Sequence, residues 1–135
     1  MRYMSIVKSS EKWRAEPPPQ ALMDAIGKMA EAAMKDGLMV GMGGLLPTEA
    51  GARVTLSGGK MTVIDGPFTE AKEVVGGYAI FEFRNKEEAL ASAVEFMQLH
   101  RQHMPGWEGT CEVRAMAGPE DTGCQAGQVA TLASA

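Results

Sequence analysis

One short connection, DGPFTEAKE at residues 65–73, holds side chains that could carry proton transfer or ligand binding. Asp65 ends an apolar run and precedes Gly66-Pro67. Its carboxylate therefore has two possible roles, as an acceptor for backbone N–H groups in its own turn or as a general base at the mouth of a cleft. From residue types alone the turn role is the more frequent one.

The same connection contains three further candidates for ligand binding. Lys72 could hold an anionic ligand, Glu73 could orient it, and Phe68 could line a pocket. Each also has a structural alternative, since charged runs are usually solvated and a phenylalanine after a turn usually packs. If the loop is extended, Lys72 and Glu73 point to opposite sides and cannot serve the same pocket.

The two histidines, His100 and His103, are the only side chains whose ordinary pKa lies near neutrality. They are spaced i, i+3 at the predicted end of a helix, where cationic side chains interact favourably with the helix dipole. This structural role is the more common one for histidines at such a position. The functional alternative makes His100 a proton carrier. Because HxxH lacks the i, i+4 spacing of helical zinc motifs, we expect no metal, and no other motif indicates a cofactor.

Hydrophobic periodicity predicts the elements that must position these side chains. The predicted strands lie near residues 3–7, 38–47, 75–83 and 109–116, the helices near 20–36 and 85–105, and a hairpin near 48–65 with its turn at 57–59. This order predicts an α+β fold, a ferredoxin-like split βαβ with an antiparallel sheet and an inserted hairpin. We expect residues 1–116 to form the domain and 117–135 a mobile tail.

Composition limits the kinds of partner that this chain is expected to bind. A formal charge of −4 and a pI of about 5.2 argue against direct attraction to nucleic acid or anionic membrane. With no signal peptide or spanning run and only two cysteines, we expect a cytoplasmic protein. The strands are apolar on both sides although two helices cover one face, which predicts a homodimer.

The stretches DGPFTEAKE and GGYAIFEF, at residues 65–73 and 76–83, resemble the signature of the YCII-related proteins in their DGPF-domain subgroup. The similarity extends to residues 17–54, to NKEEALASAVEF and to WEGTCEVR, and so spans roughly residues 1–116. This resemblance implies a dimeric α/β barrel, in which two ferredoxin-like units pack sheet against sheet.

Most proteins of this family have no established activity. A related branch removes chloride from chlorinated hydroquinones, with a proposed His–Asp pair, so the resemblance implies Asp65 and His100 as a pair in lyase, isomerase or hydrolase chemistry on a small organic molecule. The resemblance therefore favours the functional role of Asp65 beside its turn role. We expect this molecule to bind in a cleft near the DGPF turn. Two alternatives stay open: the same cleft binds a ligand without turnover, or the protein is an interaction partner beside a sigma factor.

Overall fold

The computed structural model of the protein describes residues 1–14, 16–68 and 71–118. Its elements are β1 (Arg2–Ser9), α1 (Gln20–Lys35), β2 (Met39–Gly44), β3 (Ala52–Ser57), β4 (Lys60–Asp65), β5 (Val74–Glu82), α2 (Lys86–His103) and β6 (Gly109–Ala115). Short 3-10 helices at Glu11–Arg14 and Thr48–Ala50 occupy segments predicted as loop and hairpin. The predicted tail, 117–135, lies almost entirely outside the described residues.

Four strands form an antiparallel sheet in the order β2-β5-β1-β6, which confirms the ferredoxin-like α+β prediction. The helices cover the sheet face that carries Tyr3 and Phe81, where these two rings form a buried cluster with Phe83 and Ala89. The rings of Phe81 and Phe83 stack with their centroids 5.1 Å apart. This cluster fixes both helices on one side of the sheet.

The helix ends follow local sequence signals. Gly37 ends α1 with a φ of 70°, the left-handed conformation that glycine adopts without steric cost. Pro19 precedes α1 as its N-cap with extended ψ and therefore lies outside the first turn. At α2 the Asn85 side chain accepts the N–H of Glu88 at 3.0 Å, as the spacing of an N-cap asparagine and a glutamate three residues later favours. The Glu88 carboxylate accepts the N–H of Arg84 at 3.0 Å.

The inserted hairpin, β3 and β4, forms a separate two-stranded sheet. Its turn consists of Gly58 and Gly59, with φ values of 58° and 77°, which suits a two-residue hairpin connection. The register pairs Val54 with Val63 and therefore places these side chains on one face of the hairpin. Every residue of both strands is exposed.

The sheet face opposite the helices, here called the outer face, is apolar at its centre. Met4 pairs with Ile80 and Ile6 with Tyr78, and all four side chains are half-buried. A side chain at Gly43 would collide with the Tyr78 ring, so this glycine makes room for the tyrosine. Among the described residues, neither helix combines the length and apolarity needed to cross a membrane.

Candidate functional site

A cavity of about 1270 Å³ lies between the helices and the sheet. We call it the helix–sheet cavity. Its apolar wall includes Leu22, Ile26, Met29, Ala30 and Ala33 of α1, Ala93 and Phe96 of α2, and Val7, Met39, Ala79 and Phe81 of the sheet. Leu46 at its edge is 80% exposed, so the cavity opens to solvent on that side. Its apolar lining and its opening to solvent suit a small organic ligand.

Ser5 and Cys111 contribute polar atoms to the sheet side of the cavity. Strand alternation turns Ser5 to the helix side with Tyr3 and Val7, and Val7 pairs with Cys111 on β6. Burial raises the pKa of the Cys111 thiol, and a side-chain hydrogen bond with Ser5 opposes that shift. The thiol is therefore held in its neutral form, where it can only donate or accept a weak hydrogen bond.

His100 contributes a buried polar group from the last turns of α2 and is only 7% exposed. The ring lies between two aromatic side chains, with centroid distances of 4.8 Å to Phe96 and 4.4 Å to Trp107. Its Nδ1 atom lies 3.1 Å from the carbonyl oxygen of Phe96. The two rings and the hydrogen bond hold the imidazole in one orientation.

This geometry determines the tautomer of His100. A carbonyl oxygen can only accept, so Nδ1 carries the hydrogen and Nε2 carries the lone pair. Burial lowers the pKa of His100, and the hydrogen bond to the Phe96 carbonyl opposes this shift without reversing it. Nε2 has no hydrogen-bond partner within the described segments. A neutral imidazole with a free Nε2 can accept a hydrogen bond or a proton from a bound molecule.

The segment Asp65-Gly66-Pro67-Phe68, here called the DGPF turn, contacts the segment that precedes the hairpin. The N–H of Phe68 donates to Oγ1 of Thr48 at 3.2 Å, and the N–H of Thr48 donates to the Glu11 carboxylate at 3.0 Å. Gly66, which precedes the cis proline Pro67, packs so closely on the Thr48 carbonyl that a Cβ would collide with it. The glycine of the turn therefore has a structural role, and the backbone of Phe68 anchors the turn to Thr48.

The structure places the predicted site residues in two separate regions. His100 lines the helix–sheet cavity, whereas Asp65, Phe68, Lys72 and Glu73 do not. Asp65, Lys72 and Glu73 are exposed, and the Asp65 carboxylate has no hydrogen-bond or ion-pair partner among residues 1–14, 16–68 and 71–118. The half-buried Phe68 ring lies 4.0 Å from the Arg53 guanidinium. Asp65 and His100 therefore do not line the same cavity within one chain. A joint role of the two residues stays a prediction.

Sequence reasoning missed Ser5 and Cys111 as site residues. The available signal was strand alternation, which puts a serine and a cysteine on the inward face of β1 and β6. Trp107 packs against the His100 ring. In the described part of the chain, no three His, Cys, Asp or Glu side chains are placed to hold a metal ion together.

Comparison with known proteins gives a family without a stated activity. The chain matches the YCII-related domain over residues 1–96, which includes the DGPF turn but ends before His100. The match does not distinguish the DGPF subgroup. An uncharacterised protein of Rhizobium meliloti (strain 1021) is 28% identical over 105 residues, covering 78% of this chain and 80% of that protein.

Proposed function

We propose that this chain, which belongs to the YCII-related domain family, binds a small, largely apolar organic molecule in the helix–sheet cavity. The observation that carries the proposal is the buried His100 ring. Its Nδ1–H donates a hydrogen bond to the Phe96 carbonyl, while Nε2 keeps its lone pair. Ligand sites are typically apolar with a few oriented polar groups, and His100, Ser5 and Cys111 provide such groups here.

The chemistry of Nε2 indicates the ligand class. A neutral imidazole acceptor favours a molecule with an acidic O–H, such as a phenol or a protonated carboxylic acid. The aliphatic and aromatic walls favour a ring or a short hydrocarbon body. A charged, strongly hydrated ligand would lose its water without a buried countercharge, which is unfavourable.

The proposed binding function has two forms, which differ in whether the bound molecule is chemically converted. In the catalytic form, His100 Nε2 takes a proton from the bound molecule and returns it to another atom, as a lyase, isomerase or hydrolase requires. In the other form the same cavity binds its ligand without turnover. Asp65 remains a second candidate for proton transfer, with Phe68, Lys72 and Glu73 as ligand contacts in a cleft at the DGPF turn. No observation favours the sigma-factor alternative.

Ligand binding is tested by thermal shift and calorimetry with a panel of phenols and small aromatic carboxylic acids. We expect a member of the panel to stabilise the wild type, because binding to the folded state raises the melting temperature. His100→Gln should weaken this binding, whereas His103→Gln, at the end of the same helix, is the matched control and should not. A panel without any binder, or equal binding by His100→Gln, would overturn the role given to His100.

Two further variants locate the site. Ala33→Phe adds a ring to the cavity wall and should block the ligand, provided that circular dichroism shows an unchanged fold. Asp65→Asn should leave affinity unchanged if the ligand occupies the helix–sheet cavity. Loss of binding in Asp65→Asn together with full binding in Ala33→Phe would move the site to the DGPF turn and overturn the cavity proposal.

The proposed functional unit is a homodimer of a domain formed by residues 1–116. Its support is the outer face, where Met4, Ile6, Tyr78 and Ile80 form an apolar centre. An ion pair between Lys8 and Glu112, 3.0 Å apart, lies beside this centre. An apolar centre with a polar rim is typical of protein–protein interfaces. Sheet-to-sheet packing of two copies would cover this face.

A further inference from the structure

The inserted hairpin exposes a continuous apolar face. The register places Val54, Leu56, Met61 and Val63 on this face, and each of these side chains is 61–68% exposed. Asp65 lies on the same face at its open end, and no other residue of the face is charged. An isolated two-stranded hairpin is marginally stable in water, so an apolar face of this kind requires a cover.

A groove of about 420 Å³ with matching character lies between α2 and the edge strand β6. We call it the α2–β6 groove. It is lined by Leu90, Ala93, Val94, Met97, Gln98, Arg101, Cys111 and Val113. Leu90 and Val94 are 44% and 56% exposed, although both belong to an apolar stripe along α2 that also contains Ala89, Ala93 and Met97. The fold buries Ala89 and Ala93 and leaves the other side of the stripe uncovered.

We propose that the hairpin of one copy of this chain occupies the α2–β6 groove of a second copy. The apolar hairpin face would cover Leu90 and Val94, and both apolar surfaces would leave water. Charge supports the pairing, since Asp65 is the charged group of the hairpin face and Arg101 is the charged group of the groove. Each partner therefore supplies an apolar surface with one charge of opposite sign.

The hairpin does not fit the groove of its own chain. It follows β2, and the groove lies at β6, so the two are at opposite edges of the sheet with β5 and β1 between them. A second copy removes this separation. Suppose that the outer faces of two copies pack to form one barrel and that the two-fold axis runs along this barrel. The β2 edge of one copy then lies beside the β6 edge of the other. The contact then occurs twice in each dimer, as two-fold symmetry requires.

This inference rests on the proposed homodimer, and a charge exchange tests it. Asp65→Arg and Arg101→Asp should each raise the dimer dissociation constant roughly tenfold or more, because like charges would then meet. The double variant restores opposite charges and should recover most of the lost affinity. Analytical ultracentrifugation over a dilution series measures all four proteins.

Interchain disulfide formation provides a second test that does not depend on affinity. Chains carrying Val63→Cys are mixed with chains carrying Val94→Cys, so that a link between these positions must join two copies. Thr62→Cys is the matched control, because its side chain lies on the other face of the same strand. We expect peptide mapping to find the 63–94 link and no 62–94 link.

The outcomes separate this inference from the proposed dimer. A wild type that is monomeric at all concentrations would overturn both. A dimer whose dissociation constant is unchanged by the charge variants, and that forms no 63–94 link, would overturn the hairpin contact alone and leave sheet-to-sheet packing. Recovery of affinity in the double variant, together with the specific link, would establish the contact.

Discussion

The Nδ1 atom of His100 lies 3.1 Å from the carbonyl oxygen of Phe96, four residues earlier in the same helix. This hydrogen bond turns one ring nitrogen to the helix backbone and leaves the other for a bound molecule. Phe96 also contacts the ring with its own aromatic side chain. Phe96 thus sets the tautomer of the histidine and, together with Trp107, its orientation.

The burial of His100 predicts a pH dependence of stability. Because burial lowers its pKa in the folded state, the unfolded chain takes up this proton first, at about the ordinary pKa of 6.5. The stability contributed by the neutral ring is present above pH 6.5 and is lost as the pH falls toward the folded-state pKa. We expect the free energy of unfolding, measured with urea, to fall between pH 7 and 5.

The matched control for this pH dependence is the second histidine. His100→Gln should flatten the profile in that range, and His103→Gln should leave it as in the wild type. The pKa of Glu112 is lowered by its hydrogen bond and charge interaction with Lys8, so its contribution is lost only below pH 4.5. An identical slope in wild type and His100→Gln would show that the histidine is not the titrating group.

The N-cap of α2 predicts a stability loss in Asn85→Ala. The Asn85 side chain satisfies the N–H of Glu88, and its removal should lower the free energy of unfolding by about 1 kcal/mol. Asn85→Asp keeps a capping oxygen and should stay within a few tenths of the wild-type value. Urea unfolding of the three proteins measures the difference, and equal stabilities for Ala and Asp would contradict the cap.

Two glycine-to-alanine changes should act in opposite directions. A Cβ at Gly66 collides with the Thr48 carbonyl, and backbone atoms cannot move aside as a flexible side chain does. Gly66→Ala should therefore lower the free energy of unfolding by about 1–3 kcal/mol. Gly27 lies in the interior of α1 with open space around it, so Gly27→Ala should stabilise the protein by about 0.5–1 kcal/mol. Thermal unfolding compares them; a neutral Gly66→Ala would mean that the turn relaxes.

The outer face predicts a variant that separates the copies without unfolding them. Ile6→Lys places a charge at the centre of this apolar face and should convert the proposed dimer to a folded monomer. Met34→Lys, on the exposed side of α1, is the control and should leave the dimer intact. Light scattering after gel filtration measures the mass, and a dimeric Ile6→Lys protein would exclude the outer face as the interface.

Several features were predictable from the sequence because local interactions determine them. The left-handed glycine after α1, the Asn85 cap and the glycine turn of the hairpin depend on residues within a few positions of one another. The order of strands and helices, with its apolar periods, limits the chain to the split βαβ arrangement that the structure contains. The resemblance to the YCII-related proteins agrees with the family match.

Only the tertiary structure decided which of the candidate groups meet. Asp65 and His100 both looked capable of proton transfer, but the first ends a projecting hairpin and the second lines a cavity under the helices. Ser5 and Cys111 became part of that cavity because β1 and β6 are neighbours in the sheet. Periodicity assigns each side chain to a face of its own element. The distance between residues far apart in the chain depends on strand order and packing, which the periodicity of a single element does not contain.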